Sequence, residues 1–374
     1  YAAGNFANDI QADYPTAIQD YEDAIRQDST FAMAHVELAF TLQTLGGAPN
    51  IAQSNIELTK AFQLSDRLPE SELYNVQGAY YTYVARDRRQ AIAAFRRAVQ
   101  LDSANVDAAN TLAVTLSSAR DSTGAVHMYK LALANDSADG TILGNLATEY
   151  VAMGRYREAD SVLALFASRH IPFPVGRVRF VELWNQNKYD AAEKIARAMV
   201  DSADAIQAAR ALGALAGTVR LRGRLHDADR IFAQANAALA RTGGRAADSY
   251  ATVFSQAMED GVIRGNASRG IAELDSTIRA YPVASAPVAT LHNLALAIEA
   301  YAQLGAAAKA REVLRQYETR LDSATRRQDA GYIARDRGAI AMAEGKTDSA
   351  VAYFRQGDVE ADGLPTSNCP ACTP

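Results

Sequence analysis

The sequence predicts an all-α protein, a right-handed α-solenoid of about ten antiparallel helix hairpins over residues 1–360. Three observations carry this. The chain is Ala-rich, its Arg far outnumbers its Lys, and only ten prolines interrupt its 374 residues, a composition suited to helices. Small residues recur along it: Ala17, Ser54, Ala91, Ala125, Ala159, Ala192, Ala228, Gly270, Ala310 and Ala350 follow one another at gaps of 37, 37, 34, 34, 33, 36, 42, 40 and 40. Other features keep phase with these anchors. An aromatic follows four residues later at Tyr21, Phe95, Tyr129, Phe232 and Phe354, and a glycine stands near the preceding turn at Gly46, Gly154, Gly223, Gly265, Gly305 and Gly345. Each such hairpin leaves apolar surface on both sides and must stack on its neighbours.

The two units 107–139 and 141–170 show why the pattern takes this form. In the first, Ala113, Ala125 and Ala132 let backbones approach closely, while Leu112, Leu116 and Tyr129 fill the remaining space at helical spacing. In the second, Leu143, Leu146-Ala147, Tyr150, Gly154, Tyr156 and Ala159 stand in the same order. Glycine suits the turn inside the hairpin because it tolerates positive φ at a helix end. The prolines of "RHIPFPVGR" (169–177) delay the next helix. Beyond Ala228 the units lengthen, and "ARTGGRAADS" (240–249) and "YPVASAPVA" (281–289) read as long loops, with a subdivision of the array expected near 240. Residues 361–374 form a C-terminal tail carrying Cys369 and Cys372.

The dipeptide Asp-Ser occurs ten times, and the repeat phase sorts most copies. Asp28-Ser29, Asp102-Ser103, Asp136-Ser137, Asp201-Ser202 and Asp322-Ser323 fall between hairpins, where Asp or Ser is expected to cap the next helix. Asp121-Ser122 and Asp348-Ser349 fall inside a hairpin, where the same reasoning holds.

Composition bounds the function. The net charge of -5 and pI near 5.7 supply no basic field for phosphate backbones, so no nucleic-acid partner is expected. No apolar run approaches a membrane span, so no direct membrane insertion is expected of this chain. The lone CPAC lacks two further ligands at zinc spacing, and the five histidines are scattered far from it. Phosphate-loop, dinucleotide, HExxH, GxSxG and EF-hand patterns are absent. The chain is therefore read as a non-enzyme with no cofactor and no metal.

The in-order pattern of large residue, Leu-Ala, Tyr, Ala and aromatic resembles the tetratricopeptide repeat (TPR). The resemblance implies that the first helix of each hairpin lines a concave face where partner peptides lie. Counted from the anchors, the inward residues are Tyr80 and Tyr83, then Asp107, Asn110 and Ser117, Thr141 and Thr148, Arg210 and Arg220, then His292, Glu299 and Arg335. Tyr80 and Tyr83 lie in "YNVQGAYYTYV" (74–84), the densest aromatic stretch, and either anchor a partner or pack between hairpins. The row lacks the Lys and Asn set by which chaperone-binding members hold a C-terminal carboxylate, and its mixed signs fit a partner of mixed charge.

"DSTFAMAHVELAFTLQTLGG" (28–47) with "LTKAFQLSDRLPESELYNVQGAYY" (58–81) resembles the helical region that follows the kinase domain in bacterial eukaryotic-like Ser/Thr kinases. There a "DRLPERE"-like turn recurs after the second hairpin, and Asp66-Arg67-Leu68-Pro69-Glu70-Ser71-Glu72 stands in its place. "RQGDVEADGLPTSNCPAC" (355–372) resembles a Cys-bearing stretch before a last hairpin in some of them. This implies a sensory or scaffold part of a larger signalling protein, cytoplasmic or, attached to a membrane kinase, extracytoplasmic, with a further hairpin expected after Pro374. The expected function is a protein- or peptide-binding scaffold; the alternative is homo-assembly through the open ends of the array.

Overall fold

The computed structural model describes all residues except 10–12, 46–47, 170, 172–174, 202–204, 242–253, 255, 281, 286–293 and 361–374. Every regular element among the described residues is helical. They divide into two compact units, Tyr1–Ser137 with Asp322–Gln328, and Ala138–Leu321 with Asp329–Pro374. The subdivision expected near 240 falls beside residues outside the description, as do the CPAC tail and His292.

The first unit stacks four hairpins: α1 (Ala2–Asp9) with α2 (Tyr14–Gln27), α3 (Ala32–Leu45) with α4 (Ala48–Leu64), α5 (Glu70–Tyr83) with α6 (Arg88–Leu101), and α7 (Val106–Ser118) with α8 (Ser122–Asn135). In the second, α9 (Gly140–Ala152) pairs with α10 (Tyr156–Ser168), α11 (Val175–Asn185) with α12 (Tyr189–Val200), and α13 (Ala205–Leu221) with α14 (Leu225–Arg241). A π-turn (Glu259–Ile263) packs on α15 (Ala267–Ala280), α16 (Leu294–Gln303) on α17 (Ala307–Arg320), and α19 (Ala330–Ala343) on α20 (Thr347–Glu360). The short α18 (Ser323–Gln328) belongs to the first unit, where Arg327 donates to the Ala85 carbonyl at 3.0 Å.

All ten anchors are buried, nine of them with no exposed surface. A larger side chain there has no room: a Cβ on Gly270 would lie 2.4 Å from the Ala257 carbonyl oxygen. The aromatics four residues on press against the partner helix. The Phe95 ring lies where a Cβ on Gly78 would stand, at 2.5 Å, and Tyr21 and Phe354 meet Gly4 and Gly338 in the same way.

The turn within the hairpin is stricter than the glycine pattern implied. The residue five before the anchor is left-handed in eight successive hairpins: Gly154, Gly223, Gly265, Gly305 and Gly345, and equally Arg86 (φ 53°), Arg120 (φ 61°) and Asn187 (φ 57°). The backbone closes each turn through the amide of the next residue. It bonds the carbonyl five before it, as in Asp121 to Leu116 at 2.9 Å and Arg155 to Tyr150 at 2.8 Å, or six before it, as in Asp87 to Tyr81 and Asn266 to Asp260 at 2.8 Å.

Capping follows the sequence only in part. Inside hairpins, Asp13, Asp87 and Asp121 accept from the amides of Thr16, Gln90 and Gly124 at 3.3, 3.1 and 2.9 Å, as Asp-Ser at 121–122 led one to expect. Between hairpins the cap shifts. Asp102 folds onto the Ala104 amide at 3.1 Å, and it is Asn105 that caps α7, accepting from Ala108 at 2.9 Å. Asp139 does the same for α9. Thus Asp28, Asp102 and Asp136 end the preceding helix, whereas Asp322 alone of the described inter-hairpin copies caps the following one, at 2.7 Å from the Thr325 amide.

Candidate partner-binding face

The repeat phase defines a face on the first helix of each hairpin, at 18, 15, 11 and 8 residues before the anchor. In the first unit its aromatic members are packed away. Tyr80 is half-buried and stacks on Phe62 of α4, ring centroids 4.1 Å apart at 20°. Tyr81 closes on both rings edge-on. Tyr83, also half-buried, meets Phe40 of α3 edge-on at 6.2 Å, and burial pushes its phenol up from the ordinary tyrosine value. On α7, Asp107 is exposed while Asn110 and Ser117 are half-buried. Val114, between them in phase, is exposed and was missed by a search for polar and aromatic residues.

In the second unit the face is more open. Thr141 and Thr148 of α9 are exposed, and the Thr148 hydroxyl donates back to the Gly144 carbonyl at 2.8 Å. Arg210 is exposed at the start of α13, and Arg220 lies half-buried near its end, its guanidinium 6.0 Å from the Phe232 ring. Burial lowers the Arg220 pKa.

Sequence reasoning passed over four neighbours of this pair. Arg177 and Trp184 of α11 occupy offsets of 15 and 8 from Ala192, and Gly213 and Gly217 of α13 offsets of 15 and 11 from Ala228. Outside the backbone of α13, no described atom lies within 4 Å of where a Gly213 Cβ would stand, whereas Gly217 is buried, with the Trp184 ring 3.5 Å from its Cβ position. Past the end of α13, Arg220, Leu221, Val262 and Ile263 border a cavity of about 500 Å³. Leu221, Val262 and Ile263 are 50%, 56% and 58% exposed, an apolar cluster on the surface. The offsets from Ala192, Ala228 and Gly270 would have found Arg177, Trp184, Gly213, Gly217 and Val262, but not Leu221 and Ile263, which lie one residue further on.

The cavity wall is held by charge. Glu259, fully buried in the π-turn, accepts from Arg264 at 2.5 Å, and the same guanidinium reaches Asp229 of α14 at 2.8 Å. Arg269 pairs with Asp260 at 2.8 Å. Its bonds to Asp229 and Glu259 raise the Arg264 pKa. Val262 and Ile263, in the same turn, stand in solvent.

Toward the C-terminal hairpins the face closes again. Arg335 pairs with Glu299 at 2.5 Å and lies 5.3 Å from the Tyr332 ring. Burial pushes the Glu299 carboxyl up. Asp336 beside them is fully buried, with no donor to either carboxylate oxygen among the described residues. Among the described residues, no group of three or more His, Cys, Asp and Glu is placed to hold a metal ion, and no helix is long and apolar enough to cross a membrane.

Stacked two-helix hairpins with buried small anchors define the class of fold as a TPR-like α-solenoid. Among solved structures, the Rap protein complexed with Competence and Sporulation Factor superposes with a TM-score of 0.53 at 13% identity, over 95% of this chain and 92% of its own. A tetratricopeptide repeat protein from Parabacteroides merdae gives 0.46 at 13% identity over 69% of this chain and 92% of its own. No family model matches the sequence, and no curated protein matches it.

Proposed function

We propose that the chain is a non-catalytic scaffold that binds a protein or peptide segment along the inward face of its first helices. The observation that carries this is the exposure of that face in the second unit. Thr141, Thr148 and Arg210 stand in solvent beside Ile142, Leu143, Ala209 and Ala211, which are buried almost completely. A helix that spends half its surface on the core and leaves a row of adaptable side chains outside has the anatomy of an interface. The fold has precedent for such use, since the Rap protein is complexed with Competence and Sporulation Factor. The likeness to the helical region of bacterial kinases supports a place in a larger signalling protein.

Panning a random-peptide phage library on the immobilised protein, then titrating recovered peptides by fluorescence polarisation, tests the reading. Saturable one-to-one binding is expected, and recovery of no binder contradicts it. End-to-end self-assembly is a second reading, favoured by Phe6, 54% exposed on the first helix. Light scattering that stays at monomer mass up to high concentration contradicts that reading.

A further inference from the structure

We infer that the cavity past the end of α13 takes one uncharged aromatic side chain, a tryptophan or phenylalanine of the bound partner segment. This rests on the scaffold reading and names the chemistry of the residue that anchors the partner.

The cavity lies on the inward row. Arg220 stands eight residues before Ala228 and Val262 eight before Gly270, so two successive hairpins place the same repeat position on its wall. Its volume of about 500 Å³ falls in the range of ligand pockets. Leu225 and Met258 complete an apolar lining with Leu221, Val262 and Ile263, and these last three are at least half exposed. Large aliphatic side chains gathered about one hollow and left in water gain most from an occupant that is itself apolar.

The polar groups beside this lining are already engaged. Glu259 and Asp229 both accept from Arg264, and Asp260 pairs with Arg269. At the end of α13 the carbonyls of Val219 and Arg220 accept from the amides of Arg224 and Gly223, at 3.2 and 2.8 Å. A charged ligand has to compete with these bonds, whereas an apolar side chain covers the rim and leaves them intact.

Arg220 decides between an aliphatic and an aromatic occupant. Its guanidinium is half-buried on the cavity wall, and burial lowers its pKa, as befits a cation short of water. The flat face of a guanidinium takes no hydrogen bond and stacks on rings, and the attraction grows as the cation is desolvated. Arg220 already lies 6.0 Å from the Phe232 ring. A ring entering the cavity meets this cation and the aliphatic rim together. An aliphatic side chain meets the rim alone.

Capped amino acids test the side chain apart from the rest of a peptide. N-acetyl-tryptophanamide, N-acetyl-leucinamide, N-acetyl-lysinamide and N-acetyl-glutamic acid amide are titrated into the whole protein and followed by saturation-transfer NMR. The tryptophan compound is expected to saturate, about threefold or more tighter than the leucine one and at least about tenfold tighter than either charged one. Val262→Glu, a change on the open rim, is expected to abolish its binding at an unchanged melting temperature. Arg220→Met is expected to keep an apolar site in which tryptophan and leucine bind alike. Failure of the tryptophan compound to saturate, leucine bound as tightly by the native protein, or a tryptophan preference that persists in either folded variant overturns the inference, and the ranking on the native protein decides alone if a variant unfolds. The scaffold reading survives that failure if library-selected peptides still bind, and both fall if none do.

Discussion

Tyr80 and Thr148 occupy the same place in the repeat, eleven residues before an anchor, and their surroundings are opposite. On α5 the position holds a tyrosine already stacked on Phe62 of the preceding hairpin. On α9 it holds a threonine that stands in solvent, its hydroxyl turned back to the Gly144 carbonyl. The repeat thus fixes which way a residue points, while what packs over it decides whether it meets solvent. Where an aromatic covers the position, the face is part of the core; where none does, it stays open. The partner surface belongs to the second case.

Three substitutions test that contrast. Arg264→Ala removes the partner of the buried Glu259, and is expected to cost about 3 kcal/mol in urea unfolding while closing the cavity by collapse of the π-turn. An unchanged midpoint would mean that the π-turn does not depend on the ion pair. Tyr80→Ala should then cost about 2 kcal/mol because it empties an aromatic stack. Arg210→Ala, by contrast, should leave the unfolding curve unmoved. If the two behaved alike, the distinction between packed and open faces would fail.

A third prediction concerns pH. Full burial, with the negative charges of Glu299, Glu318 and Asp329 opposed only by Arg335, pushes the Asp336 carboxyl well above the ordinary aspartate value. A group whose pKa is raised on folding favours the folded state most below its unfolded value, near 4, and that contribution is lost as pH rises toward the folded pKa. Glu299, raised by burial, acts in the same direction. Asp336→Asn, which cannot ionise, is expected to be the more stable protein at neutral pH, by roughly 1 kcal/mol or more, and to lose part of the decline between pH 4 and 7. Parallel stability profiles for the two proteins would contradict the burial argument.

The smallest effects lie in the hairpin turns. Gly154→Ala forces a Cβ into left-handed backbone and should cost about 1 kcal/mol, whereas Arg120→Gly at the equivalent turn should relieve strain and gain a few tenths. Thermal melts of the pair read the difference, and shifts of equal sign would break the equivalence of the turns.

These turns also show what the sequence could reveal. Buried anchors, aromatics four residues on and helix pairing were legible, because they depend on residue size at fixed spacing within one hairpin. The turn itself was read from glycines alone, so Arg86, Arg120 and Asn187 escaped notice, although all three carry the same positive φ. Local composition cannot signal a conformation imposed by the two packed helices on either side. The capping role of Asp102 was misplaced by three residues for a related reason: Asp can fold onto the amide two residues on, and only the observed geometry shows Asn105 reaching α7. The binding row was legible as a set of offsets, yet its division into packed and open stretches was not. Phe62 and Phe40, which cover the tyrosines, come from other helices. Arg177 and Trp184 sat at the offsets of 15 and 8 from Ala192 and went unnamed in the inward row.

Photo-crosslinking with a library-selected peptide tests the central claim most directly. A benzophenone amino acid placed at Thr148, on the open face, is compared with one placed at Tyr83, packed against Phe40. The account predicts crosslinking from position 148 and none from position 83. Crosslinking confined to position 83 would contradict it.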